Sequence, residues 1–223
     1  TLVDGAAAFI DRLVADIDGA TDHVHLLFYI YEADAVGERV AQAMARAAGR
    51  GVVCRMLLDD TGSAAFLRRR AAVYRALGVQ IEASLPVNLW RFVLARLDLR
   101  NHRKLAVIDG RVGYTGSANI VDPSYGRHDL QWVDAMLRLR GPVVQQLQQV
   151  FIEDWWHDTG EGLTDGRWMP TPERAGPVRV QAVPSGPSEP GEAFPRLIVA
   201  ALHAARSRVV LTTPYFVPDT PIV

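Results

Sequence analysis

The chain has 223 residues, enough for one large domain or one and a half smaller ones, and 49% of them are hydrophobic, ample for a packed core. Its net charge of −1 shows no basic excess of the kind that marks a nucleic-acid binder. A single cysteine, Cys54, excludes an internal disulfide, and no apolar run reaches the roughly 18 residues needed to span a bilayer.

In chain order, Asp4-Gly5 precedes a helix carrying Phe9, Ile10, Leu13, Val14 and Ile17 on one side, with Asp4 as its expected cap. Residues 23–31 form a nearly continuous apolar run, as expected of a central strand covered on both faces. His23 and His25 lie on it, with a core or sheet-edge role, or support of a site's own residues from behind, as the two readings. A helix over 35–49 ends near Gly51, and 52–58 is a second buried strand containing Cys54, a buried structural thiol. Asp59 and Asp60 end that strand, where α/β proteins place ligands, although capping the next helix is the simpler use. A helix over 64–77 and a short strand near 79–83 follow, an alternation that argues for α/β layers.

Residues 86–100 interleave Trp90, Phe92, Val93, Leu94 and Leu97 with Arg91, Arg96 and Arg100. They suit either a half-buried helix with a solvated arginine face or an amphipathic rim touching anionic lipid. A strand over 128–139 leads to Gly141-Pro142, which opens a helix with Val143, Leu147, Val150 and Phe151 facing inward. Residues 158–177 are rich in Gly, Pro, Thr and charge and read as a linker before a strand at 178–183.

Residues 101–119 concentrate the chemistry. Residues 102–108 and 111–115 suit two strands joined by Asp109-Gly110, a strong tight-turn dipeptide. Alternation puts His102 and Lys104 on one face and Leu105 and Val107 on the other. Lys104 is the only lysine in the chain, which hints at a position that needs a compact ammonium rather than a guanidinium. Gly116-Ser117-Ala118-Asn119 then offers small residues, backbone N–H groups and two polar side chains to an anion.

His102, Lys104 and Asp109, followed by Gly116, Ser117 and Asn119, resemble the HKD motif of the phospholipase D superfamily at its fixed spacing. Several stretches are similar to bacterial cardiolipin synthases, among them 96–101 leading into the motif, 151–155, and 213–219. The resemblance implies an αβα sandwich with a mixed sheet, and a site shared by two such units with one motif from each. It also implies a phosphohistidine intermediate, with one motif histidine as nucleophile and its partner as acid, then base. His102 is the expected nucleophile, Lys104 the phosphoryl-oxygen ligand, and Ser117 and Asn119 the hydrogen-bonding substrate contacts. For Asp109 the family reading is orientation of a histidine, and the local reading is turn formation. No metal or cofactor is expected.

Residues 193–219 align without a gap to 8–34, pairing Phe9 with Phe194, Leu13 with Ile198, Ile17 with Leu202 and Leu26 with Leu211. The expected organisation is a first repeat at 1–157, a linker at 158–177, and the truncated start of a second repeat at 178–223. By the same offset a second motif histidine would fall at about residue 287, past the last residue. The resulting expectation is the N-terminal half of a cardiolipin synthase-type phosphatidyltransferase. Its partners would be a phospholipid substrate such as phosphatidylglycerol, a membrane surface, and the second motif half, with no nucleic acid. It would act at the bacterial cell membrane, peripherally or anchored by helices preceding this sequence. Alternatives are a phospholipase D, a phosphodiester nuclease, or an inactive lipid-headgroup binding module.

Overall fold

The computed structural model describes residues 1–86, 100–126, 132–186 and 193–212. Of the rim expected at 86–100, all but residues 86 and 100 lie outside these, as do the start of the strand predicted at 128–139 and residues 213–219. Contacts divide the chain into a unit at Thr1–Ala182 and a smaller one at Val183–Val223.

The first unit is built on a seven-stranded mixed sheet. Its strands are β1 (Leu2–Asp4), β2 (His23–Phe28), β3 (Val53–Asp59), β4 (Gln80–Ser84), β5 (Lys104–Ile108), β6 (Val112–Gly116) and β7 (Ala135–Arg140), in the spatial order β1-β7-β6-β5-β2-β3-β4. β2, β3 and β4 run parallel, while the other pairings are antiparallel. Helices α1 (Ala6–Asp18) and α2 (Ala35–Gly49), with the short α3 (Ala64–Arg69) and α4 (Ala71–Ala76), cover one face. Helix α5 (Val143–Thr159) covers the other. This is the expected αβα sandwich.

The apolar alternation sorts residues between the two cores. Val24, Leu26 and Phe28 of β2 join Phe9, Leu13 and Ile17 of α1 on one side. Leu27 joins Leu105, Val107, Val144 and Phe151 on the other. Each such side chain contributes about 1.5–3 kcal/mol on full burial. Both histidines of β2 are fully buried on the α5 side. His25 stacks on Phe151 at 4.4 Å and hydrogen-bonds Gln148 through Nδ1. Burial holds its pKa well below the usual value, aided by the charges of His23 and Arg55. They are core groups, not site groups. Cys54 is likewise buried, which pushes its thiol pKa up to about 12.

Several local expectations change. Asp4 does not cap α1: it belongs to β1, and Gly5 precedes the helix without any side-chain cap. The helix predicted at 64–77 is broken at Arg70, whose guanidinium turns to Glu38 of α2. Residues 158–177 include packed groups, since Leu163 and Trp168 are buried in the α5-side core. No strand forms at 178–183. A helix satisfies its own backbone, but a strand requires a neighbour, and Val178 is 78% exposed with none. In the smaller unit α6 (Ala193–Ala204) forms as the repeat predicts, whereas Val209–Leu211 does not form a strand.

Candidate active site

Strands β2 and β3 both end at one edge of the sheet, the edge at which open α/β sheets place ligands. β5 starts there and β6 ends there, because each runs antiparallel to its neighbour. The polypeptide therefore brings Tyr29, Asp59, His102, Lys104, Ser117 and Asn119 to one edge from four separate stretches.

The approach to the motif is pinned by two carboxylates. Asp59, 1% exposed, accepts a forked pair from Arg100 at 3.0 Å and also holds the amides of Thr61 and Gly62. Asp154 of α5 accepts from Asn101 Nδ2 at 2.9 Å and from the Arg103 guanidinium. A buried carboxylate is stable only with such partners. Residues 100–103 are thereby fixed to both β3 and α5 before β5 begins.

His102 sits just outside β5 with its imidazole face on the Tyr29 ring, centroids 3.8 Å apart and planes 18° from parallel. Neither ring nitrogen has a hydrogen-bond partner among the described residues. One face is covered and the rim is open to solvent. That cover lowers the imidazole pKa, the Lys104 and Arg100 charges lower it further, and Asp59 opposes them. At neutral pH the ring is consequently neutral and its lone pair is available.

The Lys104 Nζ donates to the His102 carbonyl oxygen at 2.7 Å and stands 5.5 Å from the Tyr29 ring centroid. Burial pulls its pKa below the ordinary lysine range, against the attraction of Asp134. The Tyr29 ring thus faces both motif side chains. Its carbonyl is held by Ser63 Oγ at 3.0 Å, and Gly62 packs so closely that a Cβ there would stand 2.3 Å from that same oxygen.

Ser117 and Asn119 reach the same edge but are partly engaged. Ser117 Oγ donates to Asp134 Oδ1 at 2.7 Å and accepts from the Ala135 amide at 3.0 Å. Asn119 Oδ1 accepts from the Ile30 amide at 3.0 Å, which leaves its Nδ2 donors without a partner among the described residues. Gly116 admits close passage of β7: a Cβ there would meet the Ala135 carbonyl at 2.3 Å.

Asp109 is not brought to this group. It lies at the far end of β5, about 16 Å along the strand from Lys104 at ordinary rise. Its carboxylate accepts from the amides of Thr21, Asp22 and His23 at 2.8–3.0 Å and from Thr21 Oγ1 at 3.0 Å. Both Asp109 and Gly110 have positive φ, 52° and 59°, the type I′ geometry that this dipeptide favours. Asp109 anchors the opposite edge of the hairpin and has no contact with His102.

Sequence reasoning passed over Tyr29, Asp134 and the paired roles of Asp59 and Asp154. Tyr29 carried a usable signal, the first residue beyond a central parallel strand. Among the described residues no group of three or more His, Cys, Asp or Glu side chains could hold a metal ion.

Residues 13–155 match the family described as cardiolipin synthase, phospholipase D-like domain. Cardiolipin synthase A of Proteus mirabilis is 40% identical over 222 aligned positions, covering 94% of this chain and 45% of that protein. Cardiolipin synthase A of Yersinia pseudotuberculosis is 40% identical over 218. The chain spans about half the length of the curated relatives it matches. Among solved structures, Nuc of Salmonella typhimurium, a phospholipase D family member, superposes with a TM-score of 0.50 at 17% identity, covering 70% of this chain and 92% of that one. Its likeness concerns the fold alone. A match over 13–155, on a sandwich of this topology whose hairpin carries His102 and Lys104, places the chain in the phospholipase D-like cardiolipin synthase family.

Proposed function

We propose that this chain supplies the first motif of a phosphatidyltransferase of the cardiolipin synthase type, with His102 as the nucleophile. The observation that carries the reading is the pairing of an imidazole with no hydrogen-bond partner among the described residues and a partly buried ammonium two residues away, both set against Tyr29.

In this reaction one His102 nitrogen bonds to the phosphorus of phosphatidylglycerol. The P–O bond to the terminal glycerol breaks, and an acid from the second half protonates the leaving oxygen. The hydroxyl of a second phosphatidylglycerol then attacks phosphorus. It gives its proton to the same group, now acting as base, and the P–N bond breaks to release cardiolipin. Lys104 neutralises the phosphoryl oxygens in both steps, and the Asn119 Nδ2 donors add hydrogen bonds to them. Ser117 acts one step removed, fixing Asp134, whose charge faces Lys104. Asp109 takes no part in the chemistry. The second motif comes from the remainder of a longer protein working at a membrane surface, with residues 178–223 opening that second repeat.

The test uses the longer protein with phosphatidylglycerol vesicles. His102→Asn abolishes turnover and removes the acid-labile phosphoprotein trapped on quenching. Lys104→Arg preserves charge but replaces a compact ammonium by a planar fork, and lowers kcat by about two orders of magnitude, the scale of one lost preorganised contact. Undiminished labelling in His102→Asn would move the nucleophile to the second half.

A further inference from the structure

A second basic site lies at the opposite edge of the sheet. The hairpin turn at Gly110, Gly141 before α5, and residues 171–175 enclose a cavity of about 310 Å³. Arg111, Arg140 and Arg174 line it, with Glu173 as the single acid among the lining residues. Arg111 is bound to Glu173 at 2.8 Å. Arg140 and Arg174 have no side-chain partner among the described residues.

The cavity wall is built, not incidental. Trp168 is buried in the α5-side core, and Gln145 of α5 donates from Nε2 to the Pro170 carbonyl at 2.6 Å. These two anchors draw residues 168–175 across the hairpin turn. A Cβ at Gly110 would stand 2.5 Å from Pro170 Cδ, and one at Gly141 would stand 3.3 Å from the Glu173 carbonyl. Both glycines let this strap lie flat, and the strap brings Arg174 and Glu173 beside Arg111 and Arg140.

Three guanidinium groups and one carboxylate, already bound by Arg111, line this cavity, a net charge of two positives around it. Like charges lining one cavity repel, and an anion bound among them relieves that repulsion. Arginine forks match phosphate oxygens in pairs, and the positive end of the 17-residue α5 beside Gly141 adds to the same field. We infer that this cleft binds a phosphate-bearing anion, as a site separate from His102 and independent of the reaction proposed above. Its ligand is a phosphate ester or diphosphate group, carried either by an anionic lipid headgroup or by a soluble compound.

The 223-residue chain tests this directly. Lys104→Ala removes the cation of the hairpin site, so titration of that variant with inorganic pyrophosphate reports on the cleft. Adding Arg140→Ala with Arg174→Ala weakens this binding roughly tenfold or more, the scale of one lost charge-assisted contact. Glu173→Gln instead tightens it several-fold, because Arg111 is released and a competing carboxylate is removed. All three side chains are exposed, so circular dichroism should be unchanged. Flotation on phosphatidylglycerol against phosphatidylcholine vesicles separates the two sources. Loss of pyrophosphate binding with unchanged flotation assigns a soluble phosphate compound. Loss of flotation on phosphatidylglycerol assigns a headgroup. Unchanged pyrophosphate affinity and unchanged flotation in the arginine variant overturn the site.

Discussion

Tyr29 is the residue on which the motif pair depends for its geometry. A histidine at a strand end has several staggered rotamers open to it. A ring stacked 3.8 Å from His102, with Lys104 Nζ 5.5 Å away, narrows that choice. The same cover lowers the His102 pKa. A histidine nucleophile acts when unprotonated, so a lowered pKa shifts the acid limb of kcat/KM below the reference 6.5. Removing the cover should raise it again. In the longer protein Tyr29→Ala is expected to lower kcat by roughly 10- to 100-fold, the scale attached to small misplacements of reacting groups. KM should change little, and the acid limb should move up toward 6.5. Tyr29→Phe keeps the ring and should behave nearly as the parent. A Tyr29→Ala enzyme with the parent's kcat and acid limb would remove Tyr29 from the positioning role.

The β5–β6 hairpin is an element held at both ends, by different chemistry at each. At the site edge Asp59 and Asp154 grip Arg100, Asn101 and Arg103. At the far edge Asp109 grips the backbone that leads into β2. Asp109→Ala therefore removes a charged acceptor and places alanine in a left-handed conformation. The expected cost is about 2–4 kcal/mol in urea unfolding, from a charged hydrogen bond and the αL penalty. Asp109→Asn retains an acceptor and tolerates that backbone, so it should cost about half as much and leave kcat unchanged in the folded enzyme. A stable Asp109→Asn enzyme without turnover would return Asp109 to the chemistry. The hairpin itself was legible because Asp109-Gly110 and the alternation from Lys104 to Ile108 are local signals. What escaped reading is non-local. β1 is three residues long and exists because β7 offers it a partner. Arg138 finds Asp16 across 122 positions, and Arg103 finds Asp154 across 51. The Gly- and Pro-rich composition of 158–177 concealed Leu163 and Trp168, whose burial makes a wall of what looked like a linker.

At the scale of the molecule, two features bear on the proposed second half. The relatives are about twice as long, since the chain covers 94% of itself but 45% of cardiolipin synthase A. The smaller unit also carries a helix, α6, whose sequence aligns with that of α1 but which lacks its burial. In α1, Phe9, Leu13 and Ile17 are fully buried, whereas in α6 no residue is buried and their counterparts begin with Phe194 at 50% exposed. A helix of 12 residues is marginal in water unless its apolar face is covered. If the rest of the second repeat supplies that cover, two changes should occur together on extending the chain through the second motif. Amide exchange in α6, fast in the 223-residue chain, should slow by orders of magnitude, because local opening is then coupled to a packed core. Turnover of phosphatidylglycerol should rise from near background, since a nucleophile without its acid must expel an unprotonated alkoxide; proton donation of this kind is worth about 100- to 10,000-fold. Turnover by the 223-residue chain equal to that of the extended protein would mean that one motif suffices, whether within a single copy or between two. An α6 already protected from exchange in the shorter chain would mean that its apolar face has cover from another source.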